Sequence, residues 1–325
     1  MTTPNPFVRY GTIASDDRFV GREQERAALR RRLYEARSSA ALIGLTRMGK
    51  SSLANEILKE APDGTRTGWV SLAGVRSGAE ALQDILAICP PETALNTTFT
   101  TGGSENGNQE IAIHDLYRRI RDALLRLGRS GGHLVVVLDE FDKIRYFPDA
   151  REFLNLLREL VYYPDRIPMA ALAVARSPID RIEVQAADVS TFAGVCDSMY
   201  LRQMDYEQVS AMAARTAELA SDAPEVAWKY AAGNPFLSEM AFSRMLELGM
   251  TDIGRVIQPD LTSYYRKLED FMRKEELWEP LVKLASGLEV EVDVEQGALV
   301  RRYGLIDENG EVWSSEFSAY LLRSR

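Results

Sequence analysis

Cysteine and histidine are almost absent: Cys89, Cys196, His114 and His133 are the full set in 325 residues. Two cysteines far apart make neither a disulfide framework nor a zinc site, and they fit a reducing cytoplasm, the expected location. Two histidines leave no cluster for metal binding or for histidine-based acid–base chemistry. No apolar run approaches the ~20 residues of a membrane span. The start, Met-Thr-Thr-Pro-Asn-Pro, lacks the basic-then-apolar order of a signal peptide. No membrane partner is therefore expected. An excess of cations is also missing. The net charge of −9 argues against a chain-wide nucleic-acid surface and leaves room only for a local basic patch. Apolar and charged contents are those of an ordinary folded protein, and the length suits two or three domains.

What the chain does have is one stretch around which the rest is arranged, residues 40–53, AALIGLTRMGKSSL. An apolar run of strand length leads into G-x-x-x-x-G-K-S, and helix-forming residues follow, the setting of a phosphate-binding loop. Gly44 and Gly49 let the backbone turn tightly, so that successive N–H groups form an anion nest. The positive end of the following helix adds to that field. Lys50 is placed to reach the β- and γ-phosphates, and the Ser51 hydroxyl to take one Mg²⁺ position. The candidate nucleotide contacts are Gly44, Thr46, Arg47, Met48, Gly49, Lys50, Ser51 and Ser52.

A second signature is Leu134-Val135-Val136-Val137-Leu138-Asp139-Glu140. A continuous apolar run of this length predicts a strand buried on both faces of a parallel sheet, which delivers its last residues to the ligand crevice. Asp139 is the candidate to hold Mg²⁺ and Glu140 the candidate to polarise the attacking water. Asp142 is a further candidate acid. Another apolar run, 168–175, ends in Arg176-Ser177, which makes Arg176 a candidate sensor of the γ-phosphate; helix capping or an ion pair is the alternative. Before the first strand, Phe19-Val20-Gly21 reads either as a hydrophobic staple at a helix start or as an apolar turn against an adenine ring.

The remaining elements follow from periodicity and turn signals. Residues 1–18, with Pro4, Pro6 and Gly11, read as an extended arm. Helices are expected through Leu29, Leu33 and Ala36, and over 50–60, 79–88, 113–127 and 151–162. Strands are expected over 68–73 and near 199–201, and a surface loop over 90–108. The arginines at 118, 119, 121 and 126 read as a solvated helix face, and His133 as structural. From Asp205 the chain reads as helices only, 205–220, 224–232 and, after Gly233-Asn234-Pro235, 236–248: a helical lid. A second boundary is expected within 249–262. Beyond it come a helix at 277–285, a β-rich acidic stretch at 288–294, a helix at 297–303 and a hairpin around Asn309-Gly310, the order of a winged helix. The expected fold class is α/β, a P-loop NTPase parallel sheet with a helical lid and a C-terminal winged-helix domain. The expected domains are an arm (1–18), an ATPase core (19–203), a lid (204–255) and a winged helix (256–325).

Asn5-Pro6-Phe7 before Phe19-Val20-Gly21-Arg22-Glu23, the loop ending Arg47-Met48-Gly49-Lys50-Ser51-Ser52-Leu53, and Leu138-Asp139-Glu140 together resemble the STAND class of signal-transduction NTPases, and most of all its bacterial and archaeal ATPase branch, related to AAA+ proteins. Arg176 matches that family's sensor 1 arginine, and Gly233-Asn234-Pro235 its G-x-P motif, in which Pro235 lies against the adenine. The resemblance implies ATP or ADP with Mg²⁺ held between core, lid and winged helix, and a closed ADP form that opens and oligomerises with ATP. Two departures stand out. No histidine follows His133 to hold the β-phosphate, and no repeat sensor or effector domain follows the winged helix. A homo-oligomer working with a separate effector or sensor protein, in antiviral defence or stress signalling, is therefore expected. The alternative is a DNA-associated loader or transposition-type ATPase. Nucleic acid is not favoured as a partner, because Glu289, Glu291, Asp293 and Glu295 precede the only adjacent cations, Arg301 and Arg302. Arg158 and Arg166 are arginine-finger candidates by position alone.

Overall fold

A computed structural model describes residues 5–91, 112–188, 191–288 and 294–324. The chain divides into two compact units, one of Gln24–Ile43 and Ile57–Met199, the other of Met1–Glu23, Gly44–Glu56 and Tyr200–Arg325. In chain order the first elements are α1 (Glu23–Arg30), β1 (Ser39–Ile43), α2 (Lys50–Lys59), β2 (Thr65–Ser71), α3 (Gly78–Ile88), α4 (Ile113–Arg129), β3 (His133–Asp139), α5 (Ala150–Tyr162), β4 (Met169–Ala175), α6 (Ile179–Ala187) and β5 (Cys196–Tyr200). Helices then take over: α7 (Tyr206–Ala213), α8 (Ala223–Ala231), α9 (Pro235–Leu248), α10 (Ile253–Lys274), α11 (Trp278–Ala285), α12 (Val294–Arg302) and α13 (Ser315–Arg323).

The first unit is built on a five-stranded sheet in the order β2-β3-β4-β1-β5. The pairs β2–β3, β3–β4 and β1–β4 are parallel, with Ser71 opposite Asp139, Leu138 opposite Ala173 and Ile43 opposite Ala175. The three central strands are the continuous apolar runs of the sequence. Every residue of β1 and β4, and every residue of β3 before Asp139, is buried. Parallel strands of this kind must be covered on both faces, and amphipathic helices do it; α4 buries Leu116, Ile120, Ala123 and Leu124 along one stripe. Opposite that stripe, Arg118 pairs with Asp115 and Arg121 with Asp122. Helix α1 runs on into one π-helical turn, Arg31–Glu35, whose Leu33 carbonyl lies 3.2 Å from Nε2 of the buried His133. That ring is a structural one, as expected. The 90–108 loop falls mainly on residues outside those described.

The second unit is helical from Asp205 on. Asp205 and Gln208 form a reciprocal capping box at the start of α7. That helix ends at Ala213, seven residues short of expectation, and residues 221–222 lead into α8. Most of the 249–262 stretch, where a boundary is expected, belongs to α10, a 22-residue helix that carries Pro259 inside it. Ile253, Ile257, Leu261, Tyr264 and Leu268 recur at helical spacing on its buried side, and that burial outweighs the missing N–H of one proline. The hairpin signal is realised as an antiparallel bridge between Ile306 and Val312. Asp307 caps its turn by accepting from the Asn309 and Glu311 N–H groups at 2.9 Å. The acidic stretch before α12 lies at 289–293, outside the described residues. Residues 5–18 are not an extended arm: a run of turns leads to a 3₁₀ turn at Asp16–Arg18, and Phe7 is fully buried. Among the described residues no helix is long and apolar enough to cross a membrane.

Candidate functional site

The loop between β1 and α2 has the backbone that its glycines announce, although the two glycines are needed for different reasons. Gly49 has φ +86° in open space, so it is conformation that demands glycine there. At Gly44 the constraint is steric, because a Cβ would lie 2.8 Å from the Leu201 carbonyl oxygen. Arg47 is also left-handed, at φ +62°. Lys50 opens α2, is buried, and donates from Nζ to the Gly44 and Leu45 carbonyls, each at 2.8 Å. The ammonium is thus held within the loop it serves.

The same unit supplies the loop's support. Asn234 caps α9 by accepting from the Leu237 N–H at 3.0 Å, and its amide donates to Met48 Sδ at 3.3 Å and to the Tyr264 hydroxyl at 2.8 Å. Tyr264 in turn donates to the Thr46 carbonyl at 3.3 Å. Burial pushes the Tyr264 phenol well above its ordinary range, so it remains a protonated donor. Gly233 (φ +80°) accepts from the Met204 N–H at 2.8 Å, and a Cβ there would meet the Met204 carbonyl at 2.1 Å. Pro235 is half-buried as the first residue of α9. Arg47 donates to the Gly11 carbonyl and lies 5.2 Å above the Phe236 ring. The Ser52 hydroxyl accepts from the Ala14 N–H at 2.9 Å. Among the candidate contacts, the side chains of Arg47, Met48, Lys50 and Ser52 are engaged with protein groups. Phe19 and Val20 are half-buried, and Gly21 sits at φ +74° against Gln208.

The acids belong to the sheet unit. Asp139 is the half-buried last residue of β3, and it accepts from the Glu140 N–H at 2.9 Å. Glu140 is exposed and left-handed at φ +57°, with Oε2 3.5 Å from the Ser71 hydroxyl at the end of β2. Within the sheet unit β3 and β4 are neighbours, so Asp139 at the end of one and Arg176 just after the other share the carboxyl edge on which such sheets carry their ligands. Asp142 does not serve as a further exposed acid. It is 6 % exposed and accepts from the Arg176 and Ser177 N–H groups at 2.8 and 3.0 Å. The Arg176 side chain is about half exposed, with Nε 4.0 Å from the same carboxylate. Tyr264 and the acceptor role of Asp142 escaped sequence reading. Asn234 lay inside a recognised motif, but nothing in its neighbours pointed to Met48.

The Ser51 hydroxyl in one unit and the Asp139 carboxylate in the other are hard oxygens of the kind that hold Mg²⁺ together with phosphates and water. Among the described residues no group of three or more His, Cys, Asp or Glu is poised to bind a metal by itself. Each of the two is, by its chemistry, a hard-oxygen donor that suits such a cation.

Residues 18–169 match the AAA ATPase domain family. Among solved structures, the fold is similar to that of a Walker-type ATPase of Pyrococcus abyssi, at TM-score 0.63 and 17% identity over 98% of this chain and 99% of that one. It is also similar to the ORC2 protein of Aeropyrum pernix in its ADPNP–ADP complexes, at 0.55 and 15% over 98% and 88%. A third is the ORC1 protein of Aeropyrum pernix in complex with DNA, at 0.50 and 16% over 95% and 94%. No curated protein matches the sequence. The chain has the α/β fold of a P-loop NTPase, with residues 18–169 matching the AAA ATPase domain.

Proposed function

We propose that this protein binds ATP and hydrolyses it slowly as a nucleotide-dependent switch. The observation that carries this reading is the loop at 44–49, whose two glycines are each physically required and which delivers Lys50 to the start of α2. It lies inside the span that matches the AAA ATPase domain. Lys50 and the loop N–H groups hold the phosphates, and Ser51 and Asp139 hold Mg²⁺, which neutralises charge on the phosphates when bound. Glu140 orients the attacking water and takes its proton. Arg176, at the end of β4, compensates the charge of the transferred group. Pro235, Phe19, Val20 and Gly21 face the base.

The chain Thr46–Tyr264–Asn234–Met48 supports the switch, since it ties the loop to the helices that follow it. A loop that rearranges around a triphosphate changes what Asn234 and Tyr264 can bond. ATP-dependent homo-oligomerisation and recruitment of a separately encoded effector are the output we expect of such a device. Lys50→Ala is expected to abolish nucleotide binding. Glu140→Gln is expected to keep binding while slowing turnover at least about 100-fold, and to trap ATP-bound oligomers in sizing experiments. Unchanged turnover in Glu140→Gln, or one monomer size with ADP and with a non-hydrolysable ATP analogue, overturns the proposal.

The likeness to an ORC1 protein solved with DNA favours a second reading, a DNA-associated ATPase that uses α11–α13 and the 306–312 bridge as a winged helix. Against it, the start of α12, where a recognition helix reads bases, carries Glu295 and no cation, and Arg302 lies 5.6 Å from the Tyr200 ring. Duplex DNA binding at moderate salt that is lost in Arg301→Ala/Arg302→Ala would promote this reading over the first.

A further inference from the structure

β4 ends at Ala175, and the next two amides, of the part-buried Arg176 backbone and the buried Ser177, leave the strand ladder. Buried amides require acceptors, and a single side chain provides both. Asp142 Oδ2 accepts from the Arg176 N–H at 2.8 Å and Oδ1 from the Ser177 N–H at 3.0 Å. Arg145 closes the cluster. One of its terminal nitrogens lies 3.7 Å from Asp142 Oδ1 and donates to the Ser177 hydroxyl at 3.2 Å. Asp142 and Arg145 both sit on the 3₁₀ turn Phe141–Tyr146, which begins directly after Glu140. One short turn therefore carries Glu140 at its start and the acceptor that fixes the base of Arg176 two residues later. The buried faces of that turn, Phe141 and Ile144, anchor it in the core, with Phe141 stacked on Phe192 at 5.4 Å.

We infer that Asp142 is the positioning residue for Arg176. It sets the backbone from which the guanidinium departs, and through the 4.0 Å approach to Arg176 Nε it limits how far that side chain swings. This rests on the proposed role of Arg176 at the γ-phosphate. A carboxylate is required, because an asparagine offers one carbonyl oxygen for two N–H groups and turns its own NH₂ toward a donor. The arrangement also explains an acid three residues after Asp139 that faces the core and not the crevice.

The test is steady-state ATP hydrolysis and nucleotide affinity for wild type, Asp142→Asn, Arg176→Ala and the double variant, with thermal melts as a check on folding. Asp142→Asn is expected to lower kcat about tenfold or more while KM and ADP affinity stay within about twofold. In the Arg176→Ala background the same change should lower kcat no further, because residues that act through one another are not additive. A full-speed Asp142→Asn beside a slow Arg176→Ala, or losses that simply multiply, overturns the inference and leaves the role of Arg176 standing. An Arg176→Ala enzyme as fast as wild type overturns both. Should Asp142→Asn melt far below wild type, Arg145→Gln takes its place. It removes a guanidinium from the same carboxylate and keeps both amide bonds, with the same kcat-only pattern expected and full speed counting against the inference.

Discussion

Arg215→Met removes a guanidinium on which three separate groups depend. In the native protein it pairs with Glu239 at 2.9 Å, both side chains about one-tenth exposed, donates to the Pro6 carbonyl at 2.8 Å and covers the Phe7 ring at 4.7 Å. Methionine keeps the apolar stem and strands the carboxylate. Breaking a buried pair from one side costs about 3–5 kcal/mol, and loss of the cation over the ring adds roughly 0.5–1 kcal/mol. A loss of about 4 kcal/mol at pH 8 is the expected figure. The cost must depend on pH. Burial already raises the Glu239 carboxyl, with Arg215 opposing the rise, so without Arg215 it rises further. Between the unfolded value of about 4.3 and the raised folded value, the fold binds the extra proton, and stability falls as pH rises. Each pH unit of that window is worth about 1.4 kcal/mol, so the variant should be distinctly closer to wild type at pH 5 than at pH 8. Urea titration followed by tryptophan fluorescence suits the measurement, because Trp228, Trp278 and Trp313 share a unit with Arg215 and only Trp69 lies in the other. Adding Glu239→Gln should restore most of the loss. A deficit under about 1 kcal/mol at pH 8, equal at pH 5 and indifferent to Glu239→Gln, would refute the reasoning.

Gly49→Ala should weaken ATP binding about tenfold or more through roughly 1–2 kcal/mol of left-handed strain, and Gly49→Asn less, since asparagine tolerates that conformation; a fluorescent-nucleotide titration that finds alanine harmless refutes the conformational requirement. Gly44→Ala should be at least as damaging, because its added carbon lies 2.8 Å from a backbone oxygen that has no rotamer with which to retreat. Burial pushes the Cys89 and Cys196 thiols up to about 11 and about 12, so at pH 8 a thiol reagent should label the folded protein far more slowly than the protein in urea. Equal rates in the two states would contradict both the burial and the raised values.

The sheet was readable because its central strands are uninterrupted apolar runs, and a parallel strand covered on both faces leaves no other pattern. One cap carried comparable information: Asp205 marks the start of α7 and accepts the Gln208 N–H, whereas the caps at Ser77 and Asn234 emerge only from the structure. Burial can outvote punctuation: the apolar stripe from Ile253 to Leu268 carries α10 through Pro259. Phe7 looked like one aromatic in a polar arm, because its partners Phe242 and Arg215 lie far along the sequence. The turn between β1 and α2 was legible, since Gly44 and Gly49 stand between an apolar run and helix-forming residues that begin at Lys50. Asp142 was not. Whether an acid faces a crevice or caps two amides depends on where a strand 34 residues later happens to end.

The segment around Asn5 imposes an order on synthesis. Its amide reaches Ser243, 238 positions further along, and Arg215 must exist before Pro6 and Phe7 have anything to hold. At about 5–20 residues per second a ribosome takes on the order of 10–50 s to cover that distance. Throughout that interval an aromatic ring destined for the interior is already outside the exit tunnel with no permanent home, exposed to chaperones and to other nascent chains.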